Sequence, residues 1–388
     1  VTERSRRLLL IAAVVFSLVA AVQRTKDGLH CLLLSRDPLC AVDVKVQQAG
    51  VTRWFGPTPP SAGFVYPPAS QILLWPFLGW TTFAQARWIW GVTAVAALSW
   101  TSWIVVRESG ATGGLERVFV GLWPWAMYAS RATLVVGQFG LHLLPLVIVG
   151  VLGARREPVG WPRRYRAPAA LIGALAKPTF SAPFMPLALF GAPSWRPAIL
   201  VALGYALLTA IACWIRQVSP VTTLSTWVSH GGRAVVFGAP GFGAYGNVHS
   251  WLTPLGLSAW NTPATVLIFA LFTWWVYCHR RVDPWILLGV AAIVARVWTY
   301  HRIYDDVLLL LPLVAVYRLA RAPVPRWRAA PALFALIWLA AMAPGRLFLL
   351  PAPWVLVARG AHVTVWLLAL VGLGYCAWEA RRAAAAAR

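Results

Sequence analysis

The sequence predicts an all-α polytopic membrane protein, and three observations predict it. Of 388 residues, 60% are hydrophobic and only 12% charged, with a mean hydropathy of +0.67. A soluble chain of this length needs far more polar surface to cover its core. The apolar residues come in blocks of roughly 15 to 22, about the length that crosses a bilayer as helix. Basic residues gather between alternate blocks, as they do in loops that face the cytoplasm.

The first block, in "ERSRRLLLIAAVVFSLVAAV", follows a basic stretch and has the look of a signal peptide. No A-x-A cleavage pattern follows, so an uncleaved helix over about 8–23 is the better reading. Further apolar segments lie at 85–106, 118–130, 138–152, 167–176, 180–190, 196–214, 264–278, 285–297, 306–320, 330–343 and 362–379. The pair 167–176 and 180–190 is broken at "KPTF" and reads as a re-entrant or kinked hairpin. Proline is tolerated there when the freed backbone faces protein or water. Together these segments predict a bundle of about ten to twelve transmembrane helices.

With the N-terminus inside, the inside loops are 1–7, 107–117, 153–166, 191–195, 279–284, 321–329 and the tail from 380. With Arg196 and Arg318 at their edges they hold about 20 of the 34 Lys and Arg. Both termini are therefore expected in the cytoplasm. The net charge of +23 would point to nucleic acid in a soluble chain. Here its partner is the lipid bilayer, and no nucleic-acid partner is expected. Two outside segments are long, 24–84 and 215–263, and rich in Trp, Gly and Pro. They read as interfacial helices and lids. No repeat and no second domain appear, so 1–388 is expected to form a single membrane domain. Cys31 and Cys40 share the first outside segment and are either a disulfide or two free thiols.

The eleven carboxylates divide by side. Glu3, Glu108, Glu116, Glu157, Asp283 and Glu379 lie in or beside inside loops, among arginines, and read as solvated charges. Asp27, Asp37, Asp43, Asp305 and Asp306 fall outside. Chemistry on the outer face has only these acids to draw on.

Asp43 opens "DVKVQQAG", and "FVYPPASQILLWPF" then returns the chain to the membrane. Pro67 and Pro68 stiffen that turn. The pattern D-x-x-V-x-x-A-G followed by F-x-Y-P-P resembles glycosyltransferase family 87, within the GT-C superfamily of membrane glycosyltransferases. "VVGQFGLHLLPLVIVG" (135–150) resembles the family's G-Q motif, "ALAKPTFSAPFMPLALF" (174–190) its K-x-x-P hairpin, and "HRIYDDVLLLLPL" its late motif. These fall in family order from about residue 40 to 320. One departure is Gln47, where members often carry Tyr.

The resemblance implies a GT-C-type fold and transfer of a sugar from a polyprenyl-phosphate donor to a glycolipid or cell-envelope glycan. Mannose is the first expectation for the sugar and arabinofuranose the second. It also implies inversion at the anomeric carbon and a site on the outer face of the cytoplasmic membrane. Such a site needs a base, cations for the leaving phosphate, and an apolar groove.

Asp43 is the candidate base, its pKa raised by partial burial among Trp54, Phe55 and Tyr66. Otherwise it is a solvated aspartate capping a short helix. Lys177, at the tip of the broken hairpin, is the candidate for the donor phosphate. A lysine at the centre of a span costs about 2.5–3.5 kcal/mol, so one at membrane depth suggests function, although it can also snorkel to the interface. Arg131, Arg296 and Arg302 offer paired donors to a phosphate or sugar, or serve as interfacial anchors. Gln138 and Tyr66, with His249, Asn247 and Asn261 of the second outside segment, are candidate sugar or acceptor contacts.

In "TYHRIYDDVLLLLPL" (299–313) a helix would pair His301 with Asp305, Arg302 with Asp306 and Tyr300 with Tyr304. Tyr300, His301, Tyr304 and Asp305 are placed with the sugar or acceptor. Asp306 is expected only to cap the helix and pair with the basic residues. "DD" is a poor chelate, so neither a metal nor a cofactor is expected. The competing function is a multi-pass transporter or lipid-linked-sugar flippase, which would predict discontinuous helices paired between two repeats.

Overall fold

A computed structural model describes residues 2–57, 66–156, 163–227, 245–322 and 327–386. Glu157, most of the loop around it and the middle of the second outside segment, 228–244, lie outside the described residues. Among the described residues every regular element is helical, as the composition predicts.

Among the described residues five segments are long and apolar enough to cross a membrane: Glu3–Leu33 (α1), Phe83–Glu108 (α4), Arg196–Arg216 (α11), Ser258–His279, which contains α14 (Asn261–His279), and Trp354–Ala386 (α18). In each, fewer than half of the residues of the apolar window are buried, as expected of helices facing lipid tails. Shorter apolar helices are more deeply buried: α7 (Gly140–Arg155), α15 (Pro284–Val297) and α16 (Leu310–Ala320), most residues of which are buried. α17 (Ala330–Met342) packs beside α16 and α18.

One expected span and the expected hairpin are broken. Segment 118–130 becomes α5 (Gly114–Ala126) and α6 (Tyr128–Val136), which part at Met127 after Pro124. Pro124 offers no N–H to the helical ladder and its ring crowds the preceding turn. The "KPTF" hairpin becomes α8 (Arg163–Ala174), a turn through Lys177, the single turn α9 (Pro178–Ser181) and α10 (Met185–Gly191). That break is where the sequence placed it.

The first outside segment holds the end of α1, α2 (Val42–Phe55) and α3 (Pro68–Leu78). A disulfide joins Cys31 to Cys40, with Cα atoms 5.2 Å apart, so the pair is bridged rather than free. Of the second outside segment, a helix over 220–227 (α12) and α13 (Val248–Leu252) are described.

The charges sort to two ends of the bundle. At one, Arg156 meets Glu108 at 3.1 Å, Arg318 meets Asp283 at 3.3 Å and Arg321 meets Glu116 at 3.0 Å. These groups close the ends of α4, α7 and α16 and the starts of α5 and α15. The other end carries Asp27, Asp37, Asp43, Asp305 and Asp306.

Candidate active site

Several segments meet at that second end. The first turn of α2 carries Asp43, and the backbone N–H of Ala41 just before it donates to the Val135 carbonyl at 2.8 Å. This bond seats α2 on the end of α6. Asp43 is half-buried. Burial raises its pKa, against the pull of Lys177, a hydrogen bond from Gln138, and the pull of Arg302. Gln138 Nε2 also donates to the Tyr66 hydroxyl at 3.2 Å, and the Tyr66 ring packs on Phe139 at 5.0 Å. Of the three aromatic residues expected around Asp43, Tyr66 is the one bound to it through Gln138. Trp54 instead donates to the Ala212 carbonyl at 3.1 Å, and Phe55 packs on Trp75 at 6.1 Å.

Lys177 sits at the hairpin tip, as expected, but is buried rather than snorkelling. Its Nζ lies 2.5 Å from Asp305 Oδ1 and 5.0 Å from the centre of the Tyr304 ring. His301 Nδ1 lies 2.9 Å from the other Asp305 oxygen, and Nε2 lies 3.1 Å from the Thr179 carbonyl. Both partners accept hydrogen bonds, so the ring is held best with both nitrogens protonated. Burial works against that charge and lowers the His301 pKa, although Asp305 pulls it upward. Burial alone would raise Asp305, but Lys177 and His301 outweigh it and hold the carboxyl far below its usual range. Asp305 thus ties the hairpin tip to the segment between α15 and α16.

That segment corrects the helical reading of 299–306. Residues 299–302 are not helical, Arg302 is extended (φ −116°, ψ 171°), and a 3-10 helix runs Ile303–Leu309. The His301–Asp305 pair forms without a helix because Asp305 caps the 3-10 turn, accepting from the Arg302 backbone N–H at 3.3 Å. Arg302 does not reach Asp306; its Nε donates to the Tyr300 hydroxyl. Tyr300 and Tyr304 do not form the expected pair either, since the Tyr304 ring lies under Lys177 and the Tyr304 carbonyl accepts from Thr133 at 2.9 Å.

Asp306 pairs with a basic residue, as expected, but with Arg296 and as an internal brace rather than a cap. Both side chains are fully buried. The Tyr245 hydroxyl donates to Asp306 at 2.7 Å, the Tyr128 hydroxyl donates to the same oxygen, and the Arg296 guanidinium lies 5.1 Å from the Tyr245 ring. This four-residue brace was not read from the sequence. The available signal was an arginine inside the apolar run 285–297.

The remaining candidates divide. Arg302 faces Asp43 closely enough to lower its pKa. Arg131 points elsewhere, 3.5 Å from Asp27. His249 lies near enough to His301 to feel its charge, and its Nε2 lies 2.9 Å from Thr265 Oγ1. Asn247 Nδ2 donates to the His301 carbonyl at 3.2 Å. Gln47, at the position where the family often has Tyr, is buried beside Tyr66. Among the described residues no three His, Cys, Asp or Glu side chains gather as a metal site would need.

The fold and this end of it define an integral membrane protein with a built polar site among apolar helices. Its family follows from comparison: the model of glycosyltransferase family 87 matches residues 64–317, more than half the chain, and the chain belongs to that family. It is a membrane glycosyltransferase. No curated protein matches the chain. Lys177, His301, Arg302 and Asp305 fall within the matched region, and Asp43 lies ahead of it.

Proposed function

We propose that the chain transfers a sugar from a polyprenyl-phosphate donor to a hydroxyl of a glycolipid or cell-envelope glycan, with inversion and with Asp43 as general base. Mannose is the preferred sugar and arabinofuranose the second. The observation that carries the reading is Asp43 itself: half-buried, raised in pKa, and facing two cations, Lys177 and Arg302, on neighbouring segments. The acceptor oxygen forms a bond to the anomeric carbon while the bond from that carbon to the donor phosphate oxygen breaks. The acceptor proton passes to Asp43. Lys177 and Arg302 stabilise the charge that develops on the leaving phosphate. Asp305 acts as a positioning residue, because both its oxygens are engaged by Lys177 and His301. Tyr66, Gln138, Tyr300, His301 and Tyr304 shape the sugar and acceptor side, with His249 near His301.

The charge pattern and the disulfide support placing this end outside the cytoplasmic membrane, with both termini inside. Disulfides persist in oxidising compartments, and Cys31–Cys40 stands beside the site's end of α1.

The test is a transfer and hydrolysis assay with labelled polyprenyl-phosphate sugars and membrane glycolipid extract. Label is expected to move from one donor, and Asp43→Asn is expected to lower the rate by about 10²–10⁴-fold with folding and donor binding retained. Full activity in the variant would remove Asp43 as base. Movement of intact donor across a vesicle membrane, with no transfer, would favour the flippase reading.

A further inference from the structure

A cavity opens at the same end of the bundle as the Asp43 site, beside α6 and the 3-10 turn. It has a volume of about 390 Å³, and Arg24, Arg131, Arg346 and Arg359 line it, with Tyr128 and Tyr245 in its wall. Asp37 is the carboxylate that lines it, and Asp27 pairs with Arg131. Four guanidinium groups thus face two carboxylates.

The four arginines are not equivalent. Arg24 is committed to the fold, since it donates to the carbonyls of Ala126, Met342 and Ala343 at the ends of α5 and α17. Arg131 is shared with Asp27. Among the described residues Arg346 and Arg359 have no carboxylate partner. Arg346 is exposed, and Arg359 lies 5.8 Å from the Tyr245 ring. A cluster of like charges in one cavity is unfavourable unless an anion joins it. Guanidinium groups converging from several elements suit a phosphate, whose oxygens accept paired N–H donors.

The position says what carries the phosphate. α1 has 31 residues, a length of roughly 46 Å at 1.5 Å per residue, against about 30 Å of hydrocarbon. Arg24 and Cys31 fall in its last third, at headgroup level. Leu39, Phe348 and Leu349 supply an apolar wall. The Cys31–Cys40 disulfide fixes the loop that closes the rim, and within that loop Asp37 accepts from the Leu39 N–H at 2.9 Å.

We infer that this cavity binds the phosphodiester headgroup of an anionic membrane phospholipid. It is linked to the Asp43 site through the 3-10 turn. Side chains three apart in such a turn share a face, so Ile303 and Asp306 face the cavity side while Asp305 holds Lys177 and His301. A headgroup seated against Tyr128 and Tyr245 therefore presses on the partners of Asp306, one residue from the group that positions Lys177.

The experiment is ligand-dependent thermal unfolding of the detergent-solubilised chain, titrated with dihexanoyl phosphatidylglycerol, dihexanoyl phosphatidylcholine and inorganic phosphate. Phosphatidylglycerol is expected to bind at least about tenfold more tightly than either of the others. R346Q/R359Q is expected to weaken it a further tenfold or more, the factor that one charge-assisted hydrogen bond contributes. Arg346 is exposed and supports no core, so R346Q alone keeps the test open if the double variant unfolds; it too is expected to weaken binding severalfold. Unchanged affinity in R346Q and in R359Q would overturn the site. Equal binding of phosphate and phosphatidylglycerol, both lost in the variants, would overturn the lipid source and leave a site filled from solution. No donor or acceptor enters the assay, and D43N is expected to bind phosphatidylglycerol like the wild type. The result therefore stands apart from the transferase reading, which fails only in the transfer assay.

Discussion

Asp43 has two opposing influences on its charge. Burial disfavours the carboxylate, while Lys177, Gln138 and Arg302 favour it, and burial wins. A base must be deprotonated, so activity is expected to fall as pH drops through a midpoint above the ordinary value of about 3.9. Arg302→Gln removes one of the favouring charges and is expected to move that acid limb to higher pH, read from kcat/KM against pH. An unmoved limb would separate Arg302 from Asp43. Asp43 and Lys177 were legible as single residues, because an acid is rare on the outer face and a lysine is rare at membrane depth. Asp305 was legible through its spacing from His301, although the geometry that meets the spacing is a capped 3-10 turn and not the expected helix.

The elements that place Asp43 depend on one tight turn. Gly137 ends α6 with φ +74°, a conformation that favours glycine. A Cβ there would lie 2.2 Å from Val44 Cγ2 on α2, the residue next to Asp43. Gly137→Ala is expected to cost about 1–2 kcal/mol from the backbone alone and more from the clash. Both a lower melting temperature and a lower transfer rate should result, since α2 must move to make room. A variant with wild-type stability and activity would show that α2 is not seated on this turn. The broken hairpin at Lys177 was legible because proline and a charge interrupt an apolar run. The division of α5 from α6 was not, although Pro124 stood inside the expected span; a proline kinks some membrane helices and ends others according to what its neighbours offer the freed backbone.

At the scale of the whole molecule, the two-ended charge distribution was readable from loop composition. The Asp306 brace was not, because Tyr128 and Asp306 are 178 residues apart and no local period records such a contact. Its Arg296–Asp306 pair is fully buried, and breaking a buried pair by removing one partner costs about 3–5 kcal/mol. Arg296→Leu is therefore expected to lower the melting temperature more than Asp43→Asn does, with activity lost through unfolding. Replacing both partners by apolar residues of similar volume should recover much of the stability, because no buried charge is then left alone. A single variant as stable as the wild type would mean that the brace carries no stability.

The neighbours Asp305 and Asp306 point to different sides because successive residues of a 3-10 turn are about 120° apart. An insertion or deletion within Ile303–Leu309 would therefore rotate both acids together. Lys177 and Arg296 would each lose a matching carboxylate in a single event. A change in the length of that seven-residue turn is thus expected to cost more than a change of side chain at either acid alone.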